Sequence, residues 1–181
     1  MNRAPIVILA ASLLISAAVL AQDQTSAPVK RGEYLVTTSL CHDCHTPLVN
    51  GPDGPAPDMK RALSGHPQDI AIRQPASVQE PWVGAMTATL TAWSGPRGVS
   101  FSANLTPDPE TGVLRDFTEE QFVQTLRTGR HQGQGRQILP PMPWPLIGQM
   151  TDDDLKAIYA YLKQIPPVRN RVPDPIPPAT K

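Results

Sequence analysis

The chain has 181 residues, enough for one hydrophobic core and not comfortably for two. Its 16 Lys and Arg balance 16 Asp and Glu, which removes any electrostatic argument for nucleic acid or an anionic membrane surface as partner. Aromatics supply 5% of the residues while proline occupies 22 positions, so long stiffened loops are expected around a core that side chains alone do not fill.

Residues 1–21 read as an export signal: Arg3 gives a positive start, residues 6–20 form an apolar run, and Val19-Leu20-Ala21 offers a small-residue cleavage pattern. The mature chain would begin near Gln22, in the periplasm. The alternative is an uncleaved membrane anchor, for which a run of about 15 to 17 residues is short against the ~20 that a span needs. Residues 31–40 then form about three helical turns, with Tyr34, Leu35 and Leu40 turned inward. Residues 46–85 are broken by Gly51, Pro52, Gly54, Pro55, Pro57, Pro67, Pro75 and Pro81 and read as a wrapping loop with at most one or two short helical turns.

Residues 88–94 and 99–105 alternate in polarity around Ser94-Gly95-Pro96-Arg97-Gly98, the pattern of a small hairpin. Pro107, Pro109 and Gly112 mark a turn. A helix follows from Thr118, whose hydroxyl can cap Gln121 while Gln121 reaches back and Phe117 staples onto Phe122, and it ends at Gly129. Residues 130–149 form a second loop. The final helix opens with Thr151 as cap, three aspartates in the first turn and Met150 stapled to Leu155, and it stops before Pro166. Leu155, Ile158, Tyr159, Leu162 and Ile165 make one apolar stripe that needs a partner surface. Six of the last sixteen residues are proline, so residues 166–181 form an extended strap or a mobile end, leaving residues 22–165 as the single domain.

The only cysteines, Cys41 and Cys44, lie in Cys41-His42-Asp43-Cys44-His45, the C-x-x-C-H pattern of c-type haem attachment. Two thiols three residues apart sit on one side of a helical turn and can add across the two vinyl groups of a haem, which places the following histidine under the iron. A zinc site lacks the second spaced ligand pair. A thioredoxin-like pair lacks its βαβ context. An inert disulfide leaves His45 unexplained. The reading is therefore one covalent haem c, with His45 as proximal iron ligand, its other ring nitrogen donating to a backbone carbonyl in the proline-rich loop, and His42 on the surface.

Candidates for the sixth ligand are Met59, Met86, Met142, Met150, His66 and His131. Met142 stands out within Leu139-Pro140-Pro141-Met142-Pro143-Trp144-Pro145, where fixed φ angles hold the sulfur with little freedom; the competing reading is a core gap filler. His131 sits among Arg127, Arg130 and Arg136 and reads as part of a basic solvated face. Trp93 and Trp144 suit packing on a haem edge with the indole N–H toward a propionate, or ordinary core packing. Arg97 could pair with a propionate or stay solvated.

The segments RGEYLVTTSLCHDCHTP, SANLTPDPETGVLRDFTEEQFVQTLRTG and LPPMPWPLIGQMTDDDLKAIYAYLKQIPPV resemble the class I cytochrome c domains of cytochrome subunits of bacterial alcohol and sugar dehydrogenases. The resemblance implies a mainly α cytochrome c-like fold in which the first and last helices cross, with Gly32 and Tyr34 meeting the last helix near Tyr161. It implies His45 as proximal and Met142 as distal ligand, and redox partners: a dehydrogenase as donor, a cytochrome or oxidase as acceptor. An electron carrier rather than an enzyme is expected. The alternatives are a haem enzyme with an open iron site, oxidase or peroxidase-like, and a fixed subunit of a dehydrogenase complex. Two features differ from the family: a single C-x-x-C-H, and a longer stretch from His66 to Gly98.

Overall fold

A computed structural model describes residues 27–178. The N-terminal apolar run lies outside the described residues. Within them are five α-helices and two small antiparallel sheets, joined by long irregular segments.

Helix α1 covers residues 27–38 and α2 is the five-residue turn Cys41–His45. Gly32, Leu35 and Val36 share one face of α1, at the i, i+3, i+4 spacing of a buried stripe, and Leu35 and Val36 are buried. A Cβ on Gly32 would strike the Ala157 carbonyl and the Tyr161 side chain, so the first and last helices cross backbone to backbone at this glycine. Tyr34 does not join that crossing. It lies two residues from Gly32, well round the helix, and is exposed beneath Arg31, whose guanidinium stands 5.5 Å from its ring centroid. Leu40 also departs from the inward position expected: it follows the end of α1 in a left-handed conformation, φ 58°, and its side chain is exposed.

The stretch expected to be irregular contains a second hairpin. Strands β1 (Leu48–Gly51) and β2 (Gly54–Pro57) pair antiparallel across Pro52-Asp53, followed by a short 3-10 turn at Met59–Arg61. Strands β3 (Ala85–Met86), β4 (Ala92–Gly95) and β5 (Gly98–Phe101) form the other sheet, in that order. The expected hairpin is therefore present, tighter than the sequence pattern suggested and with a third strand. Trp82, Val83 and Met86 are exposed beside it.

Helix α3 (Glu119–Thr128) has the expected boundaries: Thr118 and Gln121 form the reciprocal capping box, and Gly129 closes the helix at φ 66°. After a 3-10 turn at His131–Gly133 and the short helix α4 (Trp144–Ile147), helix α5 (Asp152–Leu162) opens on the Thr151 cap. Leu155, Ile158 and Leu162 are buried with Phe117, Phe122, Val123 and Leu126, and Tyr159 donates its hydroxyl to Phe117 O at 2.7 Å. Arg31 pairs with Asp154 at 2.9 Å, which ties α1 to the start of α5.

Residues 166–178 run as an extended strap. Asn104 Nδ2 donates to Val168 O at 2.9 Å, and Asn170 Nδ2 donates to Ser64 O at 2.7 Å and His66 O at 2.9 Å. Ile176 then pairs with Val99 and covers the free edge of β5.

Candidate haem-binding site

The α2 turn is short because it is a junction. It begins directly after the left-handed Leu40 and ends where Thr46 turns extended. Cys41 and Cys44 are both free and half-buried on this one turn, and Cys41 packs against the hydrophobic core. Burial pushes the Cys41 thiol up to about 11 and moves Cys44 in the same direction, so both carry their proton at neutral pH.

His45 is buried, and its Nδ1–H donates to Ala103 O at 2.8 Å. A backbone carbonyl partner is present as expected, but it comes from the segment after β5 and not from the proline-rich loop where it was placed. The bond fixes the tautomer and leaves Nε2 as the lone-pair nitrogen. Nε2 has no hydrogen-bond partner among the described residues, whereas no fully enclosed side-chain polar atom among them lacks one. Burial, the largest influence, holds the ring below the ordinary histidine range, so it stays neutral and basic at Nε2.

The carbonyl that receives His45 is itself held. Gly65, at φ 77°, lies so close to the Ser102–Ala103 backbone that a Cβ there would strike it. Gly65 N–H donates to His45 O at 2.8 Å, His66 N–H donates to Ser102 O at 3.0 Å, and the Ser102 hydroxyl donates to Cys44 O. Sequence reasoning missed Ser102, Ala103 and Gly65. Ala103 acts through its backbone, which no side-chain pattern reveals, and Gly65 would have been visible only as a glycine in a proline-rich loop.

The other candidates separate by environment. His66 is fully buried with both nitrogens engaged: Nε2–H donates to Ile70 O at 3.0 Å and Nδ1 accepts from Thr91 Oγ1 at 2.9 Å, so it has no lone pair to offer a metal. His131 stacks edge-on against Phe117 with centroids 4.9 Å apart and is half-buried rather than solvated. His42 is likewise half-buried, with Nδ1 hydrogen-bonded to Thr46 Oγ1 at 2.9 Å. Met59 and Met86 are exposed, while Met142 and Met150 both pack against the core that Cys41 touches. The Trp144 ring lies where a Cβ on Gly129 would stand, packing over the end of α3. Trp93 is half-buried on β4, and Arg97 is exposed in the hairpin turn.

The donor set suits a covalent haem. Two thiols on one helical turn, a neutral imidazole with its second nitrogen committed to a carbonyl, and thioethers on the same core are the groups that attach and ligate haem c. No group of three or more His, Cys, Asp or Glu among the described residues is arranged to hold a bare metal ion.

No family model matches the chain. It is 32% identical over 157 residues to the alcohol dehydrogenase (quinone) cytochrome c subunit of Gluconobacter oxydans, covering 85% of this chain and 25% of that protein. It is 31% identical over 148 residues to the gluconate 2-dehydrogenase cytochrome c subunit of Pantoea cypripedii, covering 81% of this chain and 25% of the relative. Against the fructose dehydrogenase cytochrome subunit of Gluconobacter japonicus it is 32% identical over 134 residues, 74% of this chain and 20% of that protein. The chain thus spans about a quarter of the length of the curated relatives it matches.

Proposed function

The chain is a cytochrome c related to the cytochrome subunits of bacterial dehydrogenases, and from that premise we propose that it is a periplasmic electron-transfer protein with one covalent haem c, ligated axially by His45 and Met142. Cys41 and Cys44 hold the haem through thioether bonds. The bound group supplies one-electron exchange between ferric and ferrous iron. His45 presents Nε2, oriented by the Ala103 carbonyl. Met142 presents its sulfur from a proline-stiffened loop, and two protein ligands leave no open position for substrate, which suits electron carriage rather than catalysis at the metal. The dehydrogenase is the donor and a cytochrome or oxidase the acceptor. The apolar run at residues 6–20 supports export, and no helix among the described residues is long and apolar enough to cross a membrane.

The observation that carries this reading is the buried, neutral His45 with Nδ1 committed to Ala103 and Nε2 without a hydrogen-bond partner among the described residues, beside two thiols on one turn. The test is Met142→Ala in the haem-loaded protein. Loss of the sulfur-to-iron charge-transfer band and a lower reduction potential are expected; survival of both unchanged would move the sixth ligand to another methionine.

A second reading, permanent residence in a dehydrogenase complex, is favoured by the relatives being named as subunits of such enzymes. Purification from the native cell separates the two. A dehydrogenase copurifying at fixed stoichiometry supports the fixed subunit, and a lone chain supports the carrier.

A further inference from the structure

Residues 139–145 read Leu-Pro-Pro-Met-Pro-Trp-Pro, so between Leu139 and Trp144 only Met142 carries a backbone N–H. Proline narrows each φ but removes the donors by which a loop fastens itself to its surroundings. The segment is stiff within itself, and although Met142 and Trp144 pack against the core and α3, it has few hydrogen bonds to fasten its backbone to the rest of the fold. Among the described residues, one hydrogen bond runs from another element to residues 139–142: Ser100 Oγ donates to Pro140 O at 2.7 Å.

The donor is well placed to act as an anchor. Ser100 lies on β5, opposite Trp93 of β4. Its neighbour Val99 exchanges two backbone hydrogen bonds with Ile176 of the strap, at 2.8 and 3.0 Å. The strand that carries the hydroxyl is therefore fixed on both edges, and the carbonyl that it holds is two residues before the Met142 sulfur.

We propose that Ser100 is a positioning residue for Met142, fastening the proline loop to the sheet so that the thioether stays at the sixth iron position in both oxidation states. The inference rests on the His45 and Met142 ligation proposed above. A sulfur held by a fastened loop competes strongly with outside ligands, and one on a loosened loop yields to them.

The experiment titrates the purified ferric holoprotein with imidazole, whose nitrogen takes the iron position as the sulfur leaves. Removing one neutral hydrogen bond in Ser100→Ala is expected to tighten apparent imidazole binding about three- to tenfold. It should also lower the reduction potential, since methionine ligation raises it. Ser100→Thr keeps the hydroxyl and is expected to restore both values. Unchanged imidazole affinity in Ser100→Ala overturns the proposal, even if the variant melts at a lower temperature, because a merely structural role would change stability alone. Should the alanine variant fail to take up haem, Ser100→Cys, similar in size with a weak donor, must shift imidazole affinity in the same direction, and no shift overturns the proposal. Met142→Ala separates the two levels. If imidazole binds Met142→Ala no more tightly than wild type, the ligation reading fails and this inference with it; if it tightens there but not in Ser100→Ala, the role of Ser100 alone is rejected.

Discussion

Gly65 shows how one residue without a side chain can govern a ligand. Its backbone lies against Ser102 O and the Ala103 carbonyl, the latter being the group that receives His45 Nδ1–H, and its own N–H donates to His45 O. A methyl group there would strike backbone, which cannot give way as a flexible side chain can, and Gly65 also occupies a left-handed conformation. Gly65→Ala is expected to cost more than ~2 kcal/mol in thermal unfolding and to reduce the yield of haem-loaded protein. His66 gives a pH signature: burial lowers its pKa below 6.5, so the folded state favours the neutral ring. Its contribution to stability is complete above pH 6.5 and declines as pH falls below it, because the unfolded chain takes up the proton first. Replacing His66 with Gln should flatten the fall in stability below pH 6.5, to which His42 and His131, also lowered by burial, contribute as well. At this scale the sequence was legible where chemistry resides in side chains at fixed spacing, as in Cys41, Cys44 and His45. It was opaque where a backbone carbonyl does the work, as in Ala103, and where a histidine's environment rather than its identity excludes it as a ligand, as in His66.

Among the elements, both ends of α3 and the start of α5 were readable to the residue, because capping is local chemistry, whereas α5 stops at Leu162, short of the expected Pro166. Thr118 and Gln121 satisfy each other's backbone within one turn, and Gly129 adopts the left-handed stop. Thr118→Ala should therefore cost about 1 kcal/mol, measurable by chemical denaturation with an unchanged m-value. The hairpin of β1 and β2 was not readable, because Gly51-Pro52-Asp53-Gly54-Pro55-Ala56-Pro57 has the composition of a loop. Proline is excluded from central strands but tolerated at an edge, and both strands of a two-stranded ribbon are edges. Tyr34 was misplaced because the inward face of α1 is chosen by Gly32 crossing α5, a tertiary contact that hydrophobicity alone does not disclose, and Leu40 because α1 ends before it and Leu40 turns left-handed.

At the scale of the whole molecule, the proline-rich C-terminal strap joins parts that are distant in sequence. It threads from α5 past Asn104, Thr106 and Ser64 to the edge of β5, so the element that carries Ser100 is braced by the end of the chain. Gly98 permits the last of these contacts, since a Cβ at this position would strike the Ile176 carbonyl. Gly98→Ala is expected to release residues 171–178, seen as faster proteolysis in that segment than in wild type. By the proposed function, this framework holds one haem at Cys41 and Cys44. Intact mass of the purified protein, combined with a pyridine haemochrome spectrum, tests it most directly. One haem added to the polypeptide mass, with the spectrum of a haem joined through two thioethers, is expected, and both should vanish when Cys41 and Cys44 are replaced by alanine. A polypeptide of unmodified mass from cells competent in cytochrome c maturation would contradict the claim.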